Sequence, residues 1–275
     1  MFAPIITQLV SVTMAYFIYD NMQAIDVYGH DCTHFLQGQL TNDLTVLSAE
    51  IPLQLNALCN LKGRVISLFF VRFIAKNRFI IMLPQNLADR ILNELQKYAV
   101  FSKISFEPVK DYHLVFSNTK PRQDKHNWLF QHAILHRNEI NSHIQSTLTW
   151  QDVQKENICQ QLSWVDSYNS EKFLPAELNL DQFKVIAYDK GCFKGQEVIA
   201  RMKYRGTLKK ELISLKVEGM AEMQDKLFDP DHKVIADIVN MVIVDNKAYI
   251  LAVFNQSNIE KGIILADDLK TQIIA

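Results

Sequence analysis

The stretch Lys190-Gly191-Cys192-Phe193-Lys194-Gly195-Gln196-Glu197 organises the reading of this 275-residue chain. Two of its eight glycines bracket one of its four cysteines, and a lysine stands two places away on either side. The following Val198-Ile199-Ala200-Arg201-Met202 reads as a helix, which puts Cys192 just before a helix N-terminus. Nearby ammonium groups and the positive end of a helix dipole both favour thiolate over thiol. Glycine permits backbone angles and close approaches that a side chain would block. The pattern therefore predicts a functional thiol at Cys192, its acidity raised by Lys190 and its loop oriented by Gln196 or Glu197. A buried cysteine in a tight loop is the plain alternative.

Working outward, charge is unevenly spread around this stretch. Between Lys184 and Lys210 eight basic residues stand against Asp189 and Glu197, a local excess of six positive charges in a chain of formal net charge −1. Such an excess suits a polyanion, whether a nucleic acid, a phosphate-bearing ligand or a polyglutamylated cofactor; a solvated basic face is the alternative. Upstream the sign reverses. No Lys or Arg precedes Lys62, whereas Asp20, Asp26, Asp31, Asp43 and Glu50 all do.

Cys32, Cys59, Cys159 and Cys192 include no CxxC pair, which argues for free thiols in a reducing cytosol. The apolar start, Met1 to Tyr19, has no basic n-region and is interrupted by polar residues, so it reads as neither signal peptide nor membrane span. A cytoplasmic protein with no membrane partner is expected. His30, Cys32 and His34 share a helix face, but no other ligand cluster lies near in sequence, and no stably bound metal is expected.

Element by element, the chain reads as α+β. Ala24 to Tyr28 alternates like a strand, and Asp31 is placed to cap a helix from Cys32 to Gln37 that Gly38 would end. Leu53 to Cys59, Gly63 to Ile74 and Phe79 to Leu83 predict antiparallel strands. Asn86, with Asp89 third after it, would cap a helix carrying Leu87, Ile91, Leu95 and Tyr98 on one face. Strands follow at Ile104 to Val109 and Tyr112 to Phe116, and a helix at Asp152 to Ser163. The polar stretch between them holds His126, His132, His136 and His143, with small buried pieces expected at Trp128-Leu129-Phe130 and Ala133-Ile134-Leu135. After Gly206, short strands at Leu208 to Val217, Val234 to Val239, Met241 to Val244 and Ala248 to Phe254 predict a small antiparallel β-barrel. The implied organisation is α+β modules over 1–108 and 151–206, a short middle module over 109–150, and a barrel over 207–275.

The octapeptide at 190–197 and its continuation VIARMKYRG at 198–206 resemble the signature of the YgfZ family, folate-binding accessory proteins of iron–sulfur metabolism and tRNA modification. Three more segments carry the resemblance: Phe35 to Thr41, Cys59 to Arg64, and Leu95 to Lys103. The resemblance implies a relative of the glycine cleavage T-protein, with three modules around a central folate-sized cavity. It also implies a role in maintaining or repairing certain [4Fe–4S] enzymes, including a tRNA methylthiolase, without stand-alone turnover. Tetrahydrofolate or a derivative is the implied cofactor, and iron–sulfur client or assembly proteins are the implied partners. Residue by residue it carries over Lys190, Gly191, Cys192, Gly195, Gln196 and Glu197. Lys62, Arg64, Arg201 and Arg205 join them as cations for a glutamyl tail or a partner's acidic surface.

Some positions depart from the family. Its folate-contacting tryptophans fall at Met22 and Val153, which leaves Trp150 or Trp164 to supply a stacking surface. Asn60 stands where an acidic residue is common, and Asn56 to Arg64 has no carboxylate. That disfavours an aminomethyltransferase, whose chemistry needs an acidic group at the folate nitrogen. Direct binding of tRNA rests on the basic run, interleaved only by Phe193 and Tyr204, which is thin support for base stacking.

Overall fold

The computed structural model describes residues 15–117, 132–140, 146–206, 208–219, 222–260, 262–263, 265 and 269–274. In chain order the elements are β1 (Tyr16–Ile18), β2 (Met22–Tyr28), α1 (Cys32–Gln39), β3 (Leu53–Cys59), β4 (Val65–Ala75), β5 (Arg78–Pro84) and α2 (Ala88–Ala99). Next come β6 (Ser105–Val109), β7 (Tyr112–Ser117), β8 (His132–His136), α3 (Trp150–Cys159) and α4 (Gln196–Arg205). The C-terminal part holds β9 (Lys210–Glu218), β10 (Lys226–Phe228), β11 (Val234–Val244), β12 (Lys247–Asn255), α5 (Gln256–Glu260) and β13 (Thr271–Ile273).

These strands form three antiparallel sheets, ordered β3-β4-β5-β2-β6, β1-β7-β8 and β10-β11-β12-β9-β13. The first sheet explains its own sequence. Along β4, Val65, Leu68 and Phe70 enter one core while Ile66, Phe69 and Val71 enter another. A strand covered on both faces reads as an unbroken apolar run. One face is covered by α1 and α2 through Phe35, Leu36, Ile91 and Leu95. The other joins a larger core that takes in Tyr19, Phe116, Trp164 and, from the C-terminal sheet, Leu212, Val239 and Leu251.

The helix ends depart from expectation. Gly38 lies inside α1, whose C-cap is Leu40. Asp31 makes no side-chain cap bond there; its carboxylate accepts instead from His30 Nδ1 at 2.6 Å and Lys103 N at 3.0 Å. Asn86 likewise turns away from α2 and donates to Ser167 Oγ at 3.2 Å. In α2, Leu87, Ile91 and Leu95 are buried as predicted, but Tyr98 is exposed. Long-range polar partners, invisible to local pattern, won these side chains.

The C-terminal sheet also differs. The two strands read at Val234 to Val239 and Met241 to Val244 are one strand, β11, interrupted by a register shift between Ile238 and Asn240. Its edge strands β10 and β13 do not pair with each other among the described residues, so the expected barrel is an open five-stranded sheet there. Asn240 bonds Trp164 in both directions at 2.7 and 2.9 Å, and Asn169 Nδ2 donates to Val239 O at 2.8 Å, fastening this sheet to the body. Trp128-Leu129-Phe130, His126 and His143 lie outside the described residues. Ala133-Ile134-Leu135 falls in β8 with Ile134 buried.

Candidate functional site: the Cys192 loop

Two inward-turned lysines and a buried ring hold the loop. Phe193 is buried, and Lys190 Nζ lies 5.2 Å from the centre of its ring. Lys190 Nζ donates to Leu40 O at 2.7 Å and Asn42 O at 2.8 Å. Burial pushes the Lys190 ammonium down to about 8, against a smaller opposing pull from Asp43. Lys194 N donates to Gly38 O at 3.0 Å. Its side chain, 5% exposed, is ion-paired with Glu94 and lies 4.6 Å from the centre of the Tyr98 ring.

Gly195 then turns the chain into α4 with φ +81°. A Cβ there would meet Asn60 O at 2.5 Å, and a Cβ on Gly63 (φ +72°) would meet Val198 Cβ at 3.1 Å. Gly191 is different, with open space around the Cβ position and no positive φ. The Phe35–Thr41, Cys59–Arg64 and Leu95–Lys103 segments thus all touch the 190–197 loop. At its tip Cys192 is exposed and free.

The residues expected to serve this thiol are placed as follows around the loop. The ammonium groups of Lys190 and Lys194 are engaged by Leu40 O, Asn42 O and Glu94, which hold the loop. The helix begins at Gln196, so Cys192 lies outside the first turn, where the dipole acts. Gln196 closes the turn, its N–H donating to Phe193 O at 3.1 Å. Glu197 is exposed and pairs with Arg201 at 2.7 Å along α4. Lys62, Arg64 and Arg205 are exposed, and the Arg64 guanidinium also donates to Lys172 O.

Two carboxylates that sequence pattern did not single out complete the surroundings: Glu94, already described, and Glu171. Asn60 Nδ2 donates to Glu171 Oε1 at 2.7 Å across 111 residues. The Asn60 bond, helped by Arg90, holds the Glu171 carboxyl below its ordinary value despite partial burial. Glu171 is therefore an ionised acceptor that fixes the Asn60 loop. Its only local trace is a left-handed backbone, φ +62°, which no sequence pattern announces. Among the described residues, no group of three or more His, Cys, Asp or Glu is placed to hold a metal ion.

A separate cleft of about 820 Å³ lies between α3, residues 164–168 and the C-terminal sheet. None of the ten site residues predicted from sequence lines it, but Trp150 and Trp164 do. Met22 is half-buried and Val153 fully buried in the core.

No family model matches the chain. It is 28% identical over 234 residues to the tRNA-modifying protein YgfZ of Aliivibrio fischeri, covering 74% of this chain and 71% of that one. It is 29% identical over 227 residues to the YgfZ of Yersinia pestis, covering 70% and 68%. The chain is a relative of the YgfZ proteins. Its fold is similar to that of the solved glycine cleavage system aminomethyltransferase T from Bartonella henselae, with TM-score 0.66 over 89% of this chain and 79% of the other at 13% identity. In this YgfZ relative, the segments that carry the family resemblance are the walls of the Cys192 loop.

Proposed function

We propose that this YgfZ relative is an accessory protein of tRNA modification that presents Cys192 to iron–sulfur client or assembly proteins. One observation carries the reading: three distant segments brace a loop whose only exposed thiol is held at its tip. A loop braced in this way orients a reacting group without itself moving. The cysteines are free, which suits a reducing compartment such as the cytosol. No helix among the described residues is long and apolar enough to cross a membrane.

Tetrahydrofolate or a derivative belongs to the same proposal, and its fit is one-sided. Exposed Lys62, Arg64 and Arg205, with Arg201 beside Glu197, suit the carboxylates of a glutamyl tail. Positions 22 and 153 offer no aromatic face for the ring. An aminomethyltransferase finds less support, because Glu171, the carboxylate bonded to Asn60, is also paired with Arg90.

The test is complementation. Cys192→Ala would be expressed in a strain lacking the native gene, and a [4Fe–4S]-dependent tRNA methylthio modification measured by mass spectrometry. Loss of the modification with normal protein levels is expected, and full restoration would overturn the thiol's role. Titration with tetrahydrofolate, read by tryptophan quenching, tests the ligand separately.

A further inference from the structure

We propose that the cleft between α3 and the C-terminal sheet is a second binding site, distinct from the Cys192 loop. It would take a neutral or cationic planar nitrogen heterocycle that bears neither phosphate nor carboxylate. The volume of about 820 Å³ is that of a small-molecule site. Its walls include the aromatic residues Trp150, Trp164, Tyr168 and Phe228. Trp164 is locked from behind, stacked on Tyr19 at 6.0 Å and 15°. Its position is fixed on folding, so a ligand that touches it meets a side chain whose ordering cost is already met.

The polar groups narrow the class. Gln154 lines the cleft, is 6% exposed, and its Nε2 has no partner among the described residues. A buried amide left without an acceptor is costly, so this donor asks for an acceptor on the ligand. Of the other amides of the wall, Asn240 is satisfied at both ends by Trp164 and Gln224 is exposed. Asp166 and Asp225 line the same space with His232, and among the described residues no Lys or Arg does. Burial raises the Asp166 carboxyl, so a cation or an N–H edge beside it relieves a poorly solvated charge, whereas an anion is repelled. Aromatic faces attract cations through the ring quadrupole, as Lys172 Nζ, 4.0 Å from the centre of the Tyr168 ring, already does here. The cleft and the cation-bearing α4 surface thus select opposite ligand charges.

The test uses the full chain, two nucleosides and one nucleotide, followed by tryptophan quenching below neutral pH: 7-methylguanosine (cationic), guanosine (neutral) and guanosine 5′-monophosphate (anionic). Saturable binding of the first two, with the monophosphate about tenfold weaker, is expected. Gln154→Leu should weaken 7-methylguanosine about fivefold, and Trp150→Ala, at a partly exposed position, should also weaken it, with Cys192 alkylation unchanged in both. Folinate should not displace 7-methylguanosine. The proposal is overturned if neither uncharged nor cationic probe saturates, if the monophosphate or folinate competes equally, or if both variants bind as the parent does. A Gln154→Leu protein that is merely more stable, with no probe bound by the parent, would show that water alone satisfies the amide.

Discussion

A Cβ placed on Gly195 would stand 3.1 Å from the Cα of Gly63 and 2.5 Å from the carbonyl oxygen of Asn60. Two left-handed glycines, 132 positions apart in number, thus meet where the Asn60–Arg64 turn closes against the start of α4. The contact is backbone against backbone, so no rotamer change can relieve an added methyl.

Gly195→Ala should therefore destabilise by roughly 2–4 kcal/mol, combining left-handed strain with a clash that backbone must absorb. Gly191→Ala, in open space, should change stability by no more than about 0.5 kcal/mol. Urea midpoints of the two variants check this directly. Equal midpoints would contradict the packing.

Glu94 is the counter-charge of the buried Lys194. Glu94→Gln should cost about 3 kcal/mol, at the low end for a buried pair because Glu94 keeps some contact with water. Glu94→Gln/Lys194→Met should recover most of it. The Lys194 bond is the main cause that lowers the Glu94 carboxyl from 4.5. Its contribution is thus complete above that ordinary value and is lost as pH falls through the lower folded value. Denaturation below pH 4.5 should narrow the gap between the parent and Glu94→Gln.

Lys190 behaves in the opposite sense. Burial depresses it from 10.5 to about 8, so the unfolded chain binds the extra proton across that interval. Stability from this group is then lowest below about 8 and rises toward 10.5. The parent should gain stability over Lys190→Met across that window. Because the ammonium is engaged by Leu40 O and Asn42 O, iodoacetamide labelling of Cys192 in Lys190→Met should stay within about twofold of the parent. A much larger loss of labelling rate would restore Lys190 as the thiol's activator.

The four thiols should separate by reactivity. Cys32 and Cys59 are buried, and loss of water pushes both up to about 12. Cys159 is half-buried and also raised, chiefly by burial. A disulfide exchange reagent near neutral pH should show one fast thiol in the native protein, absent in Cys192→Ala, with the others released on unfolding. A fast phase that survives in Cys192→Ala would refute the assignment.

Sequence by itself determined the strands of the first sheet, whose apolar runs leave few alternatives, and the stretch 190–197, whose residue types and spacing reach the YgfZ proteins. It also placed the exposed cysteine. What it could not reach depends on distance in three dimensions. Lys190 and Lys194 neighbour Cys192 in sequence, and only the fold shows that side chains that long have partners at Leu40, Asn42 and Glu94. Glu171 and Gln154 carry no local signature at all. One matters because folding brings it to Asn60, the other because folding leaves its amide facing a cleft. Whether β10 and β13 close a barrel is likewise a matter of sheet curvature, which alternation along single strands does not encode. Hydrophobic periodicity is a one-dimensional signal, whereas charge pairing and cavity formation are decided only when distant segments meet.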